Sequence, residues 1–285
     1  MSQSIKSVAV LGGGLMGAGI AESASMAECP VVIRELPEYI GAARTRLQKS
    51  LDLAVKRGKL DTDKRDAALA RVTFTSELKD VAGSDLVIEA VPENLKLKLS
   101  IMEEHNEIVG PDTILASNTS SIPIAALAGA VSNPGRVVGL HFFSPVSVMK
   151  LVEIVRALDT SDETMAAAEA FVVRLGKHPI VTKDRSGFIV NFLLTPYLVG
   201  AVRMYEEGFA SREDIDAGMK LGASHPMGPL ELCDFIGLDV VQAVCESMFD
   251  EFKRDEYAPP PLMKRMIAAG RLGRKSGRGF YEYTQ

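Results

Sequence analysis

The chain of 285 residues holds only three cysteines, Cys29, Cys233 and Cys245. They are too few and too scattered for a disulfide framework or a zinc site, and read as small buried apolar residues of a reducing compartment. An excess of basic charge is also missing. Lys and Arg number 32 against 37 Asp and Glu, a formal net charge of -5. That balance argues against nucleic acid or a membrane surface as a partner. No apolar run reaches the roughly 18 residues of a membrane span. The opening Met-Ser-Gln-Ser-Ile-Lys leaves no room for a signal peptide before the first strand-like run. Tyr283-Thr-Gln carries no retention or prenylation signal. A cytoplasmic location is expected. His105, His178 and His225 lack a ligand-like grouping, so no metal is expected.

What is present is the balance of a soluble globular protein, 47% hydrophobic and 24% charged. Its length suffices for one large domain or two ordinary ones. Short β-branched runs at Ser7–Leu11, Val31–Glu35, Val72–Thr75, Leu86–Ala90, Ile114–Ser117 and Val137–Gly139 alternate with helical stretches. Met149–Val155 and Pro179–Val181 are further candidate strands around an alanine-rich helix, Asp162–Leu175. The alternation predicts an α/β fold, Rossmann-like and doubly wound, with a mainly parallel sheet covered on both faces. Residues 38–70 form a polar helical excursion, a hairpin rich in Arg and Lys. Beyond Lys183-Asp-Arg-Ser-Gly187 the pattern is helical, with a long apolar stretch over Phe188–Glu207. The expected division is residues 1–185, a dinucleotide-binding domain, and residues 186–285, a smaller all-helical domain.

Gly12-Gly-Gly14-Leu15-Met16-Gly17 sits between the first strand and the first helix. Gly12 permits a tight turn, Gly14 lets backbone approach a pyrophosphate, and Gly17 permits close helix–strand packing. The N–H groups around Leu15 and Met16 face the phosphates. Glu35 ends the next strand where a carboxylate takes a ribose 2′-hydroxyl and repels a 2′-phosphate. NAD is therefore expected over NADP, although Arg34 beside it places a guanidinium near the same edge.

Oxidation of a secondary alcohol needs a base poised near neutral pH, and histidine is the usual choice. His141 follows a strand near the carboxyl edge of the sheet, where ligands bind in such folds. As an isolated histidine it could equally be a core residue packed among Phe142 and Phe143.

With the glycine loop, Ser117-Asn-Thr-Ser-Ser121 and His141-Phe-Phe-Ser-Pro145, the chain resembles the 3-hydroxyacyl-CoA dehydrogenases, most of all their short bacterial form. The resemblance runs on through Gly187-Phe-Ile-Val-Asn191, Glu213-Asp-Ile-Asp216, Met219-Lys-Leu-Gly222, His225-Pro-Met-Gly-Pro-Leu-Glu231 and Gly273-Arg-Lys-Ser-Gly-Arg-Gly-Phe-Tyr281. It implies an exchange of L-3-hydroxyacyl-CoA and 3-ketoacyl-CoA with NAD, with a short acyl chain favoured, in fatty-acid or butanoate metabolism. It implies that Glu153 pairs with His141 and fixes its tautomer, as an orienting carboxylate does. Ser120 would bond the substrate oxygen, and Asn191 would hold the reacting group. Glu93, Lys98, Asn118, Ser120, Ser144 and Lys275 would contact the cofactor. Ser50, Lys56 and Arg57 on the hairpin would meet the CoA of an acyl-CoA thioester; positions 50 and 57 are about two turns apart, on one helical face. A homodimer through the C-terminal helices is expected, because the apolar faces around Leu193–Val202 and Leu230–Val244 exceed what a small domain covers alone.

Two residues depart from the family pattern. Ser144 stands where the short bacterial members usually carry asparagine, and Phe192 where arginine is usual. The acyl-chain preference therefore stays open. A dehydrogenase of a free 3-hydroxy acid or a sugar acid is the nearest alternative. Ser186–Tyr197 contains no lysine, which counts against the families that place a catalytic lysine there. A non-catalytic dinucleotide-binding protein is a second alternative, opposed by the intact set Ser120, His141, Glu153 and Asn191.

Overall fold

The computed structural model describes residues 4–283, which fall into two compact units, one up to Asp184 and one from Arg185. In the first unit the elements run β1 (Val8–Leu11), α1 (Leu15–Met26), β2 (Val31–Arg34), α2 (Pro37–Lys56), α3 (Thr62–Ala70), β3 (Val72–Thr75), β4 (Leu86–Glu89) and α4 (Leu95–Ile108). They continue β5 (Ile114–Ser117), α5 (Ile124–Ala128), β6 (Val137–Phe142), β7 (Leu151–Arg156), α6 (Asp162–Arg174) and β8 (His178–Lys183). The polar excursion is thus a hairpin of two helices, α2 and α3.

These strands form one eight-stranded sheet in the order β3-β2-β1-β4-β5-β6-β7-β8. β1, β4, β5 and β6 are buried along their whole length. That burial explains why they read as unbroken apolar runs rather than alternations. Every pairing is parallel except β6 with β7. The strand order reverses between β1 and β4, and the crevice at such a switch point is where doubly wound sheets take ligands.

Two of the later strands are longer than their sequence pattern suggests. Gly139 looks like the end of a strand, yet β6 runs on to Phe142, so His141 lies within it rather than after it. A Cβ at Gly139 would stand 2.6 Å from the Val155 Cβ, so the glycine is what lets β7 lie close against β6. At its far end α6 shows ordinary capping. Ser161 Oγ accepts the Thr164 N–H at 3.1 Å, with Asp162 and Glu163 in the first turn and Arg174 in the last.

The second unit is helical: α7 (Val190–Glu206), α8 (Arg212–Ala217), α9 (Pro229–Ile236), α10 (Leu238–Phe252) and α11 (Pro261–Ala268). Leu198, Val202, Leu230, Leu238, Cys245, Met263 and Phe280 close its core. Two buried acids hold its loops. Asp216 accepts the N–H groups of Leu230 and Glu231 at the start of α9, at 2.8 and 3.0 Å. Asp234 accepts those of Phe280 and Tyr281, both at 2.9 Å, and the Tyr283 hydroxyl at 3.0 Å.

Candidate active site

The first unit carries its polar groups along the carboxyl edge of the sheet. β1 stops at Leu11 and the chain turns at Gly12 with φ +96°, against the Ala90 carbonyl that follows β4. A Cβ at Gly12 would lie 2.9 Å from that oxygen, and one at Gly17 only 1.8 Å from the Gly12 oxygen. Both positions exclude any side chain. Gly14 differs: no atom stands within 4 Å of its would-be Cβ, and no side chain caps the α1 N-terminus it begins. That open ring of N–H groups suits a pyrophosphate. Glu35 Oε2 accepts the Gly13 N–H at 2.7 Å, and Oε1 accepts the Leu36 N–H at 2.8 Å, so the carboxylate is fixed beside the loop with lone pairs to spare. Arg34 turns elsewhere, its Nη1 lying 3.5 Å from Glu104 on α4.

β6 and β7 bring a histidine and a glutamate together. In an antiparallel pair, directly opposed residues share a face with Cβ atoms roughly 5 Å apart. His141 and Glu153 are such opposed residues. His141 Nδ1 and Glu153 Oε2 are 2.6 Å apart, with Glu153 fully buried. A carboxylate at that distance accepts a hydrogen bond from Nδ1–H and so favours the tautomer in which Nε2 is the acceptor nitrogen. The Phe143 ring lies 4.5 Å from the imidazole, centroid to centroid, and keeps the dyad in an apolar setting.

Between the glycine loop and this dyad lies a buried relay. Glu89, the last residue of β4, accepts the Lys98 ammonium at 2.7 and 2.9 Å, the Ser117 hydroxyl at 2.6 Å and the Val91 N–H at 2.7 Å. Lys98 reaches on to Glu93 at 3.1 Å. Glu93 in turn accepts the Thr119 hydroxyl, the Ser120 N–H and the Ser121 hydroxyl. Burial works to raise the Glu93 carboxyl, but the Lys98 ammonium and the Thr119 and Ser120 bonds outweigh it and hold it below the usual range. The Ser120 hydroxyl takes no part in this relay. Asn118 Oδ1 accepts the Phe142 N–H at 2.9 Å, which ties the same loop to the strand of His141. Asn118, Ser120 and His141 thus belong to one hydrogen-bonded edge.

A groove of about 580 Å³ opens between α1, the α2–α3 hairpin and the segments after β6 and α6. Ser50 and Arg57 line it; Lys56 does not, while Lys59 and Lys150 do. Arg57, Lys59 and Lys150 enter no ion pair among the described residues. Met26, Leu51, Leu53, Leu60 and Val148 give the groove an apolar wall. Glu22 is buried in it. Burial pushes its carboxyl up, opposed by the Ser50 hydroxyl and the Lys177 ammonium.

Residues 7–185 match the model for the NAD-binding domain of 3-hydroxyacyl-CoA dehydrogenase, and residues 187–283 match its C-terminal domain. The chain belongs to the 3-hydroxyacyl-CoA dehydrogenase family. A 3-hydroxybutyryl-CoA dehydrogenase of Mycobacterium tuberculosis is 51% identical, over 99% of this chain and 100% of its own. The mitochondrial hydroxyacyl-coenzyme A dehydrogenase of Sus scrofa is 41% identical, over 98% of this chain and 91% of its own. The crystal structure of an (S)-3-hydroxybutyryl-CoA dehydrogenase from Ralstonia eutropha superposes with a TM-score of 0.94 at 45% identity, covering 99% of this chain and 100% of that one.

NAD is the cofactor of this family of oxidoreductases, and the residues present fit it: an uncapped helix start at Gly14 and a fixed acid at Glu35. In the helical unit Asn191 is half-buried at the start of α7, and Lys275 pairs with Asp239 at 2.5 Å. Ser144 is exposed after β6. The departure at Phe192 has a counterpart in space, because the Arg185 guanidinium lies 3.8 Å from the Phe192 ring centroid. Sequence reading overlooked Glu89, Lys59 and Lys150. Glu89 had a signal: a lone charge closing an otherwise apolar strand at the carboxyl edge. Lys59 and Lys150 had none, since nothing in their local sequence separates them from solvated lysines.

Proposed function

We propose that this protein interconverts a short-chain L-3-hydroxyacyl-CoA, 3-hydroxybutyryl-CoA in the first instance, and the corresponding 3-ketoacyl-CoA. The observation that carries the proposal is the His141–Glu153 contact of 2.6 Å at the sheet edge. In the oxidation direction His141 Nε2 takes the proton of the C3 hydroxyl. Glu153 holds the Nδ1 proton and stabilises the imidazolium as it forms. Ser120 offers a neutral hydroxyl to the same oxygen, and Asn191 is assigned to orient the acyl group; neither competes for the proton. Bound NAD supplies the acceptor for the hydride that leaves C3.

The loop that carries Gly12, Gly14, Leu15, Met16 and Gly17, with Glu35, Glu93, Lys98, Asn118, Ser144 and Lys275, holds the cofactor in this reading. Lys98, buried between Glu89 and Glu93, serves it by fixing Glu93. Ser50 and Arg57, with the exposed Lys56 at the end of α2 as a further cation, receive the CoA, whose phosphates suit the cations of the groove. A thioester is favoured over a free acid because a free acid would leave that basic groove without an occupant. The protein works in the cytoplasm as a homodimer. Leu193 and Leu221 in the helical unit are 66% and 85% exposed, and such apolar surface calls for a partner.

The test is oxidation of NADH followed at 340 nm with acetoacetyl-CoA and, separately, with free acetoacetate. Rapid turnover of the thioester and at least about a hundredfold lower kcat/KM for the acid is expected, since the groove binds only the former. Equal use of both would remove the CoA assignment. A monomer mass by light scattering at micromolar concentration would remove the dimer.

A further inference from the structure

We propose that Arg46 is a latent ligand for a 2′-phosphate, held in check by Glu35, so that the two residues together set the choice between NAD and NADP. The inference rests on the reading that the glycine loop takes a dinucleotide. Opposite charges grip the two ends of one residue in that loop. The Gly13 N–H donates to Glu35 Oε2 at 2.7 Å, and the Gly13 carbonyl accepts from Arg46 Nη1, also at 2.7 Å.

The position of α2 explains how a residue so far along the chain arrives there. A Cβ on Gly13 would come 2.4 Å from the Ala43 Cβ and 3.5 Å from Glu35 Oε2. α2 therefore lies directly on the loop, and Arg46, three residues beyond Ala43, shares that face. Arg34 is the cation that sequence places nearest the acid, but its guanidinium is directed at Glu104. The guanidinium that reaches the glycine loop is that of Arg46, and it enters no ion pair among the described residues.

The chemistry follows from the pair. A carboxylate accepts from a ribose 2′-hydroxyl and repels a phosphate there, whereas a guanidinium grips phosphate through two N–H groups. With Glu35 present, its charge offsets that of Arg46 and the site favours the hydroxyl. With Glu35 neutralised, Arg46 keeps one bond to the Gly13 carbonyl and has further N–H groups to donate.

The experiment is a fluorescence titration of the full-length protein with NADH and with NADPH, which needs no acyl substrate. Four variants are compared with the parent: Glu35→Ser, Glu35→Gln, Glu35→Ser/Arg46→Met and Glu35→Ser/Arg46→Lys. Glu35→Gln keeps an acceptor for the Gly13 N–H and carries the test if Glu35→Ser does not fold. Neutralising Glu35 is expected to shift the ratio of affinities towards NADPH by at least about thirtyfold. Adding Arg46→Met is expected to remove at least about tenfold of that gain, the scale of one charge-assisted hydrogen bond, and Arg46→Lys to restore part of it. NADPH bound as tightly by Glu35→Ser/Arg46→Met as by Glu35→Ser overturns the proposal. So does a neutralised Glu35 that binds NADH but gains nothing for NADPH. A parent that binds neither nucleotide would overturn the cofactor reading itself, and with it this proposal.

Discussion

Glu153 in the first unit and Asp234 in the second are buried alike, 0% and 1% exposed, yet they do opposite work. Asp234 meets donors that do not titrate near neutral pH: two backbone N–H groups and the Tyr283 hydroxyl, whose pKa is pushed up to about 12 by burial and by the nearby Asp234 charge. Such donors hold a chain in place. Glu153 meets the His141 imidazole at 2.6 Å, a ring that the proposed reaction uses as its base. Both acids are buried, and only the partner separates the supporting role of Asp234 from the catalytic role proposed for Glu153.

That contrast can be broken by substitution. The largest effect is expected at the imidazole. His141→Gln, whose amide can still donate towards Glu153, should lower kcat for acetoacetyl-CoA reduction by about 10²- to 10⁴-fold, the range for loss of a general base. NADH affinity by fluorescence titration should stay within about threefold. Turnover close to that of the parent would return His141 to the core residues.

Asp234→Asn should do the reverse. One amide oxygen replaces two carboxylate oxygens for three donors, so unfolding free energy measured in urea should fall by about 1–3 kcal/mol. Turnover of the protein that remains folded should be unaltered. A loss of kcat with stability intact would erase the distinction drawn between the two acids.

Glu93 lies between these cases, since it holds the serine loop and is itself held by Lys98. Its carboxyl sits below the ordinary value of 4.5 in the folded protein. The stabilisation it gives is therefore fully present above about pH 4.5 and drains away as pH falls through the lower folded value. The stability gap between parent and Glu93→Gln should be constant near neutrality and close in acid. A gap independent of pH down to 3 would count against the Lys98 ammonium as its cause.

The smallest effect concerns the buried thiols. Cys29, Cys233 and Cys245 are all buried, and desolvation pushes the Cys245 thiol up to about 12. The thiolate is the reactive form, so iodoacetamide at pH 8 should label these residues only after denaturation. Rapid labelling of the native protein would show that this part of the core opens.

The same contrast decides how much could be read in the sequence. The glycine loop and Glu35 act through backbone turns and short spacing, so Gly12, Gly17 and Glu35 were legible as letters in a row. The resemblance to a family supplied His141 with Glu153, but their contact depends on β6 continuing past Gly139 and on the one antiparallel pairing in the sheet. Neither can be read from local pattern. Glu89 with Lys98 and Ser117, and Arg46 over Gly13, join residues brought together only by the packing of the sheet and α2. In the helical unit Gly228 and Gly279 lie inside quoted motifs for a mundane reason: a Cβ on either would collide with the carboxylates of Asp216 or Asp234.

The central claim is that His141 and Glu153 work as one proton-transferring unit. Its most direct test is a double-mutant cycle on kcat for acetoacetyl-CoA reduction, using His141→Gln, Glu153→Gln and the double variant. Residues that act as a unit are strongly non-additive. The double variant should therefore be within about threefold of His141→Gln alone. Penalties that multiply would show that the two side chains act independently, and would contradict the account.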